Sequence, residues 1–343
     1  MGTIPVLVRS RLQMAGLLLG VMIAGAALLA YADVEGVEWR QTPAGEAGGP
    51  GGWSHHGTLA ARPRSLTLPS AEDQVSSLQR TERAEEEVPV EVRRPSVRAT
   101  PIPLPTPDGS PRQLVVPILM YHHIGEPGPA ADAIRSDLSV SPENFEGQLR
   151  YLVEHGYEPT TLESLVLHLQ VGRPLPGKPV ILTFDDGFRD QYTAAYPLLR
   201  KYGFAGTFFV ITRFADEGRP DYMSWAEIEL LHAGGMEIGS HSYTHPSLKG
   251  KAFDYIVWQV LGSKEAIEAR TREPVRFFSY PSGQYDQLVV DVLRSAGYWT
   301  AVTVKPGSLQ SSERLFELKR IRVRGSYDLD DFDYWLNHWL SYP

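Results

Sequence analysis

From Gln113 to the end of the chain, short β-prone runs alternate with longer amphipathic ones, and no internal repeat interrupts them. Such an order builds strand–helix units around a parallel sheet. Residues 114–120 read as a strand that ends in Tyr121-His122-His123. Ser141-Pro142-Glu143 opens a helix running to about His155, with serine as the cap and proline at the first helical position. A short helix follows Thr161. Residues 180–184 read as a strand, 189–202 as a helix closed by Gly203, and 206–211 as a strand. Ser224-Trp225-Ala226-Glu227 is a capping box whose helix stops at Gly234-Gly235. Strands over 236–239, 275–280 and 299–304 then alternate with helices over 254–270 and 287–296. A last strand over 318–323 and a last helix over 330–339 close the pattern. Alternation sustained for about 230 residues fits a distorted (β/α) barrel better than an open sheet. His122, Asp185, Asp186, His241, His245 and the turn Pro281–Gly283 all follow strand carboxyl ends, the rim that carries the active site in such barrels.

The chain before residue 113 has a different character. Arg9 and Arg11 precede an almost unbroken apolar run over residues 14–32, long for the core of a signal peptide and just long enough to span a bilayer. Ala30-Tyr31-Ala32 has the small-x-small form of a cleavage site. Residues 1–32 are therefore expected to act as a cleaved signal peptide or as an uncleaved anchor with its arginines on the cytoplasmic side. Either way the product is expected to be exported, periplasmic or at the cell surface, membrane-anchored or secreted. Residues 33–112, rich in Gly, Pro, Ser, Glu and Arg, show neither strand nor helix periodicity and read as a disordered linker. A coil of about 80 residues spans roughly 50 Å, enough to hold residues 113–343 away from a membrane.

Composition narrows the chemistry. The 343 residues carry 33 basic and 41 acidic side chains, a net charge of −8, so neither nucleic acid nor an anionic lipid surface is expected as the main partner. No cysteine occurs, which removes disulfides, thiolate metal sites and a cysteine nucleophile. Any metal must be held by His, Asp or Glu. No feature sets an oligomeric state.

Residues 180–187, Val-Ile-Leu-Thr-Phe-Asp-Asp-Gly, are an apolar strand ending in two carboxylates and a glycine. Taken alone, Asp-Asp-Gly after a strand is ordinary turn chemistry. At residues 236–239 a second apolar run leads into Ser240-His241-Ser242-Tyr243-Thr244-His245. Two histidines four apart just past a strand end can aim both imidazoles at one point. Two neutral imidazoles and one carboxylate make a three-ligand site with open positions, the pattern of hydrolytic Zn²⁺ or a similar divalent ion. Asp186, His241 and His245 are the candidates; Fe²⁺, Co²⁺ and Ni²⁺ suit the same set. Asp185 is then the general base, because Gly187 permits a turn that brings both carboxylates to the rim. His123, on the face opposite His122 in a strand, is read as structural.

These residues resemble the polysaccharide deacetylases with a NodB-homology domain, carbohydrate esterase family 4. Thr183-Phe184-Asp185-Asp186-Gly187 resembles the family's first motif, and His241-Ser242-Tyr243-Thr244-His245 its second. The resemblance covers roughly residues 114–326. It implies a distorted (β/α) barrel, a divalent metal on Asp186, His241 and His245, Asp185 as general base, and removal of acetyl from N-acetylated sugars. Phe278-Ser279-Tyr280-Pro281-Ser282-Gly283 resembles the third motif, with Ser279 where the family usually has the arginine that orients the base. By position in that motif, Ser282, through its backbone N–H, and Tyr280 are the candidates for contacting the oxyanion and substrate. Strand alternation in Leu318-Lys319-Arg320-Ile321-Arg322-Val323 puts Arg320 and Arg322 on one face, and Arg320 is the candidate partner of Asp185. The same segment lacks the Leu-His of the last motif. Pro117-Ile118-Leu119-Met120-Tyr121-His122-His123 instead resembles the opening motif of a subgroup containing the deacetylases of poly-β-1,6-N-acetylglucosamine, which implies His122 as the acid for the leaving amine.

The resemblance implies an N-deacetylase of an N-acetylglucosamine-containing envelope or extracellular polysaccharide. Peptidoglycan, chitin-like oligomers or another acylated molecule are the alternative substrates, and a carbohydrate-binding barrel without catalysis is the alternative of another class.

Overall fold

The computed structural model describes residues 104–343. The expected signal segment and anchor, and residues 33–103 of the expected linker, lie outside the described residues. Among those described, no helix is long and apolar enough to cross a membrane. Residues 104–112 have no regular secondary structure but lie along the domain: the Asp108 N–H donates to the Gln170 carbonyl and the Ser312 N–H to the Arg112 carbonyl.

Strands β1 (Gln113–Val115), β2 (Ile118–Tyr121), β3 (His123–Ile124), β4 (Ser139–Val140), β5 (Glu158–Pro159) and β6 (Pro179–Phe184) come first. They are followed by β7 (Thr207–Val210), β8 (Glu237–Ser240), β9 (Phe277–Ser279), β10 (Thr300–Pro306), β11 (Leu309–Ser311) and β12 (Leu318–Arg322). The sheet runs β2-β12-β10-β9-β8-β7-β6, and pairing of β6 back to β2 closes it into a parallel barrel of seven strands. β5 pairs with the first residues of β6, and β1 pairs antiparallel with β11 outside the ring.

Most residues of the barrel strands are buried on both faces, as a parallel sheet covered by helices requires, exceptions including the exposed end of β10 and two polar positions of β12. Around the ring lie α1 (Ala133–Asp137), α2 (Pro142–Glu154), α3 (Leu162–Val171), α4 (Tyr196–Tyr202), α5 (Thr212–Asp216), α6 (Trp225–Ala233), α7 (Phe253–Thr271), α8 (Gln287–Ser295) and α9 (Leu329–Ser341). The helix entries follow from their caps. Ser141 accepts from the Asn144 N–H, and Ser224 and Glu227 form the reciprocal box at the start of α6. Outward-facing aromatics tie β6 to both its neighbours: Phe184 stacks on Phe208 of β7 at 4.7 Å and on Tyr121 of β2 at 5.4 Å. Alternation along β6 then leaves Thr183 and Asp185 facing the barrel interior.

Two of the expected elements are divided in the structure. The strand expected over 114–120 is two strands, because Pro117 has no N–H for a ladder; β1 pairs outside the ring and only β2 enters it. The helix expected over 189–202 begins as a π-helical turn, Gln191–Ala195, before α4. Pro197 cannot donate to the carbonyl one turn earlier, which favours the wider turn there.

Candidate active site

Three of the predicted ligands converge at the carboxyl ends of β6 and β8. Asp186 Oδ1 lies 3.3 Å from His241 Nε2 and 3.4 Å from His245 Nε2, and the ligand atoms of all three lie within 4.8 Å of one another. His241 and Asp186 are well buried, whereas the His245 side chain is 31% exposed, so the site opens on that side. The backbone meets this geometry at a cost. Asp186, Ser242 and His245 all take positive φ, 74°, 67° and 62°, a region worth about 1 kcal/mol of strain for a residue with a Cβ. Gly187 follows at φ 76°, with Val210 so close that a side chain would crowd its Cα at 3.3 Å. This double left-handed turn is what delivers two adjacent carboxylates to one rim.

The surrounding hydrogen bonds hold the ligands ready. His241 Nδ1 lies 2.7 Å from the Ser279 carbonyl, which can only accept, so Nδ1 carries the proton and the Nε2 lone pair faces Asp186. Gln259, fully buried on α7, accepts from the N–H groups of Tyr243 and Thr244 through Oε1 and donates to Thr244 Oγ1. The Ser242 hydroxyl oxygen accepts from the His245 N–H. A carboxylate and two imidazole lone pairs brought this close demand a cation between them, and oxygen plus imidazole nitrogen is a donor set for a divalent transition ion. The residues therefore fit the metal.

Charge sets the protonation of the metal-free cluster. Burial opposes a charged His241, but the hydrogen bond its imidazolium donates to Asp186 and the field of both carboxylates prevail and raise its pKa. Burial and the neighbouring His241 push His245 down to about 4. Burial likewise lowers His122, partly offset by Asp185 and Asp186.

Asp185 faces inward, 2% exposed, and meets Arg320 from β12, which lies next but one to β6 around the ring with β2 between them. The pair is bidentate: Nη1 to Oδ1 at 2.8 Å and Nη2 to Oδ2 at 2.6 Å. Arg320 also donates from Nε to the Thr303 carbonyl, from Nη1 to Thr183 Oγ1 and from Nη2 to Ser279 Oγ. Burial alone would raise the Asp185 carboxyl, yet the Arg320 guanidinium holds it well below the usual carboxylate range. Ser279 occupies the third-motif position and its hydroxyl lies 3.3 Å from Asp185 Oδ2. Arg322, expected on the same face as Arg320, is partly exposed and pairs with Asp137.

His122 sits at the end of β2, which adjoins β6 with Tyr121 opposite Phe184. His123 is buried: its Nδ1 donates to Asp190, its Nε2 accepts from Arg135, and its ring stacks on Phe188. Ser282 is exposed in the turn Pro281–Gly283 with φ 53°. Tyr280 corrects the sequence reading. Its side chain is buried in the core, with its hydroxyl donating to the Phe316 carbonyl at 3.0 Å and its ring stacked on Tyr285, because the chain turns only after it, at Pro281. Sequence reasoning also missed Thr183, Ser279 as a direct neighbour of Asp185, and Gln259. A polar residue inside an otherwise apolar barrel strand was the available signal for Thr183. A cavity of about 250 Å³ lies at the opposite end of the barrel, around Glu237 and Arg276. Glu237 there accepts from the first N–H groups of α3 and from Thr207, a structural role.

Residues 172–301 match the family described as "Polysaccharide deacetylase". Residues 172–301 therefore carry a polysaccharide deacetylase domain. The chain is 29% identical over 208 residues to the putative polysaccharide deacetylase YxkH of Bacillus subtilis (strain 168), covering 61% of this chain and 71% of that protein. It is also similar to two proteins named poly-β-1,6-N-acetyl-D-glucosamine N-deacetylase. For Staphylococcus aureus (strain MRSA252) the identity is 24%, covering 59% of this chain and 72% of that protein. For Escherichia coli (strain K12) it is 22%, covering 57% of this chain but 35% of that protein, so the chain spans about a third of the E. coli relative. Among solved structures, Streptococcus pyogenes deacetylase PplD in complex with acetate superposes with a TM-score of 0.61 at 28% identity, covering 66% of this chain and 98% of that one. That solved structure thus shares the barrel over nearly its full length.

Proposed function

We propose that this protein is a metal-dependent hydrolase that removes N-acetyl groups from an N-acetylglucosamine-containing polysaccharide of the envelope or extracellular matrix, with the β-1,6-linked polymer as the leading substrate. The observation that carries the reading is the division of labour between two adjacent carboxylates: Asp186 faces two imidazoles, and Asp185 is tied to a buried arginine. The linkage rests on the names of the S. aureus and E. coli relatives.

Asp186, His241 and His245 would hold the divalent ion, Zn²⁺ or alternatively Fe²⁺, Co²⁺ or Ni²⁺, which when bound supplies Lewis-acid polarisation and a water of lowered pKa. Asp185, kept ionised and aimed by Arg320, accepts the proton of the attacking water. The Ser282 N–H, by its place in the third motif, donates to the acetamide oxygen as negative charge gathers there. His122 gives a proton to the departing nitrogen, so that acetate and a free amine leave. Residues 14–32 support export of the protein, either anchored in a membrane by that run or released.

Acetate release by the full chain, zinc-loaded, from β-1,6- and β-1,4-linked N-acetylglucosamine oligomers tests the proposal. Release from the β-1,6 oligomer that stops on chelation is expected. No release from either oligomer, with zinc bound, would sink it.

A further inference from the structure

Gln191 has no exposed surface, although the segment that carries it reads as an amphipathic helix. A buried amide needs polar partners. Its Nε2 donates to two backbone carbonyls, that of His122 at 2.7 Å and that of Asp185 at 2.5 Å. An amide nitrogen has two protons, and both are spent on the residues read above as acid and base.

The location explains the need. The ladder between β2 and β6 ends where the Asp185 N–H donates to the Tyr121 carbonyl at 2.9 Å. Past that point Asp186 and Gly187 turn left-handed and the strands can no longer pair. Gln191 continues the ladder with a side chain, spanning the gap between two strand ends that have parted. Its neighbour grips the next residues: Asp190 Oδ2 accepts from His123 Nδ1 at 2.7 Å and Oδ1 from the Ile124 N–H at 3.2 Å. Both side chains leave the start of the π-helical turn, Gln191–Ala195, a turn type that recurs at functional sites.

We infer that Gln191 is a positioning residue for the hydrolysis proposed above, on which this role rests: it sets the spacing and direction of His122 relative to Asp185 by bridging their carbonyls. Gln191 touches neither the metal ligands nor substrate through these bonds, so its loss should slow turnover and spare binding. A misplacement on the order of 1 Å costs about 100-fold in rate.

Gln191→Met keeps the length and removes both donors; Gln191→Glu keeps the shape and replaces the donors with an acceptor. For the full chain, zinc-loaded, on the β-1,6 oligomer, both should lose about 100-fold in kcat, with KM and the zinc Kd within about three-fold of wild type. A Met variant with wild-type kcat overturns the inference. So does joint loss of zinc binding and kcat, or failure of both variants to fold, since either assigns Gln191 to the fold alone. In the wild-type protein, ¹⁵N NMR should find the Gln191 side-chain amide protons protected from exchange, a readout independent of any substrate. An active wild type whose Gln191 amide exchanges freely defeats this inference alone. An inactive wild type with a protected amide defeats the deacetylase reading and the positioning role with it.

Discussion

Arg320 and Asp185 form a closed ion pair inside the barrel, and all five guanidinium N–H groups are used: two on the carboxylate, and one each on the Thr303 carbonyl, Thr183 and Ser279. The third motif's usual arginine is absent from the sequence, yet a guanidinium reaches Asp185 from a different strand. Ser279, in the vacated position, fills the remaining gap with a hydroxyl. A buried charge this well satisfied makes Asp185 a fixed, ionised acceptor.

Removing one partner of such a pair leaves the other buried and uncompensated. Arg320→Met should destabilise the fold by about 3–5 kcal/mol, read from urea unfolding. The double variant Asp185→Asn with Arg320→Met should be more stable than Arg320→Met alone. Equal stability of the two would mean the charges do not interact.

Asp185→Asn should lower kcat for acetate release by about 1,000-fold, within the range of general-base losses. Calorimetric titration should find zinc affinity within a few-fold of wild type, because Asp186, His241 and His245 are untouched. Loss of zinc along with activity would place Asp185 among the ligands instead.

His122→Ala should lower kcat by about 100- to 1,000-fold and leave zinc affinity unchanged. Retention of wild-type turnover would require another proton donor for the leaving amine.

Zinc binding should weaken with acid. Metal-free His241 holds its proton more tightly than an ordinary imidazole, its burial being outweighed by Asp186 and Asp185, so the ion competes with that proton more as pH falls. Titration at pH 8 and at pH 6 should give the weaker affinity at pH 6. Identical affinities would contradict the cluster's electrostatics.

The metal-free protein should lose stability at low pH. The Asp185 carboxyl, opposed by burial but held down by Arg320, has a folded pKa below the ordinary aspartate value of 3.8. Its contribution is present above that unfolded value and is lost as pH falls through the depressed folded one. Urea midpoints measured from pH 5 to pH 2 should drop for wild type and change less in the double variant.

Much of this was legible from local patterning. The apolar run into Asp185-Asp186-Gly187 and the His241/His245 spacing are contained in a few consecutive residues, because a strand's burial and the turn that ends it are local. Helix starts at Ser141 and Ser224 were legible for the same reason: a cap is a bond between residues three apart. What only the tertiary structure decided depends on pairings far apart in the chain. The number of strands in the ring follows from β6 closing onto β2. The partner of Asp185 lies 135 residues away, and alternation within β12 could offer Arg320 and Arg322 equally, until closure put one inside the barrel and the other beside Asp137. Tyr280 shows the same limit, since its motif position alone does not say whether its ring turns to the site or to the core. Residue types and their local order determine which elements form and what chemistry they carry; which side chains meet is determined by how the strands close, because a barrel interior is shared by residues from every strand at once.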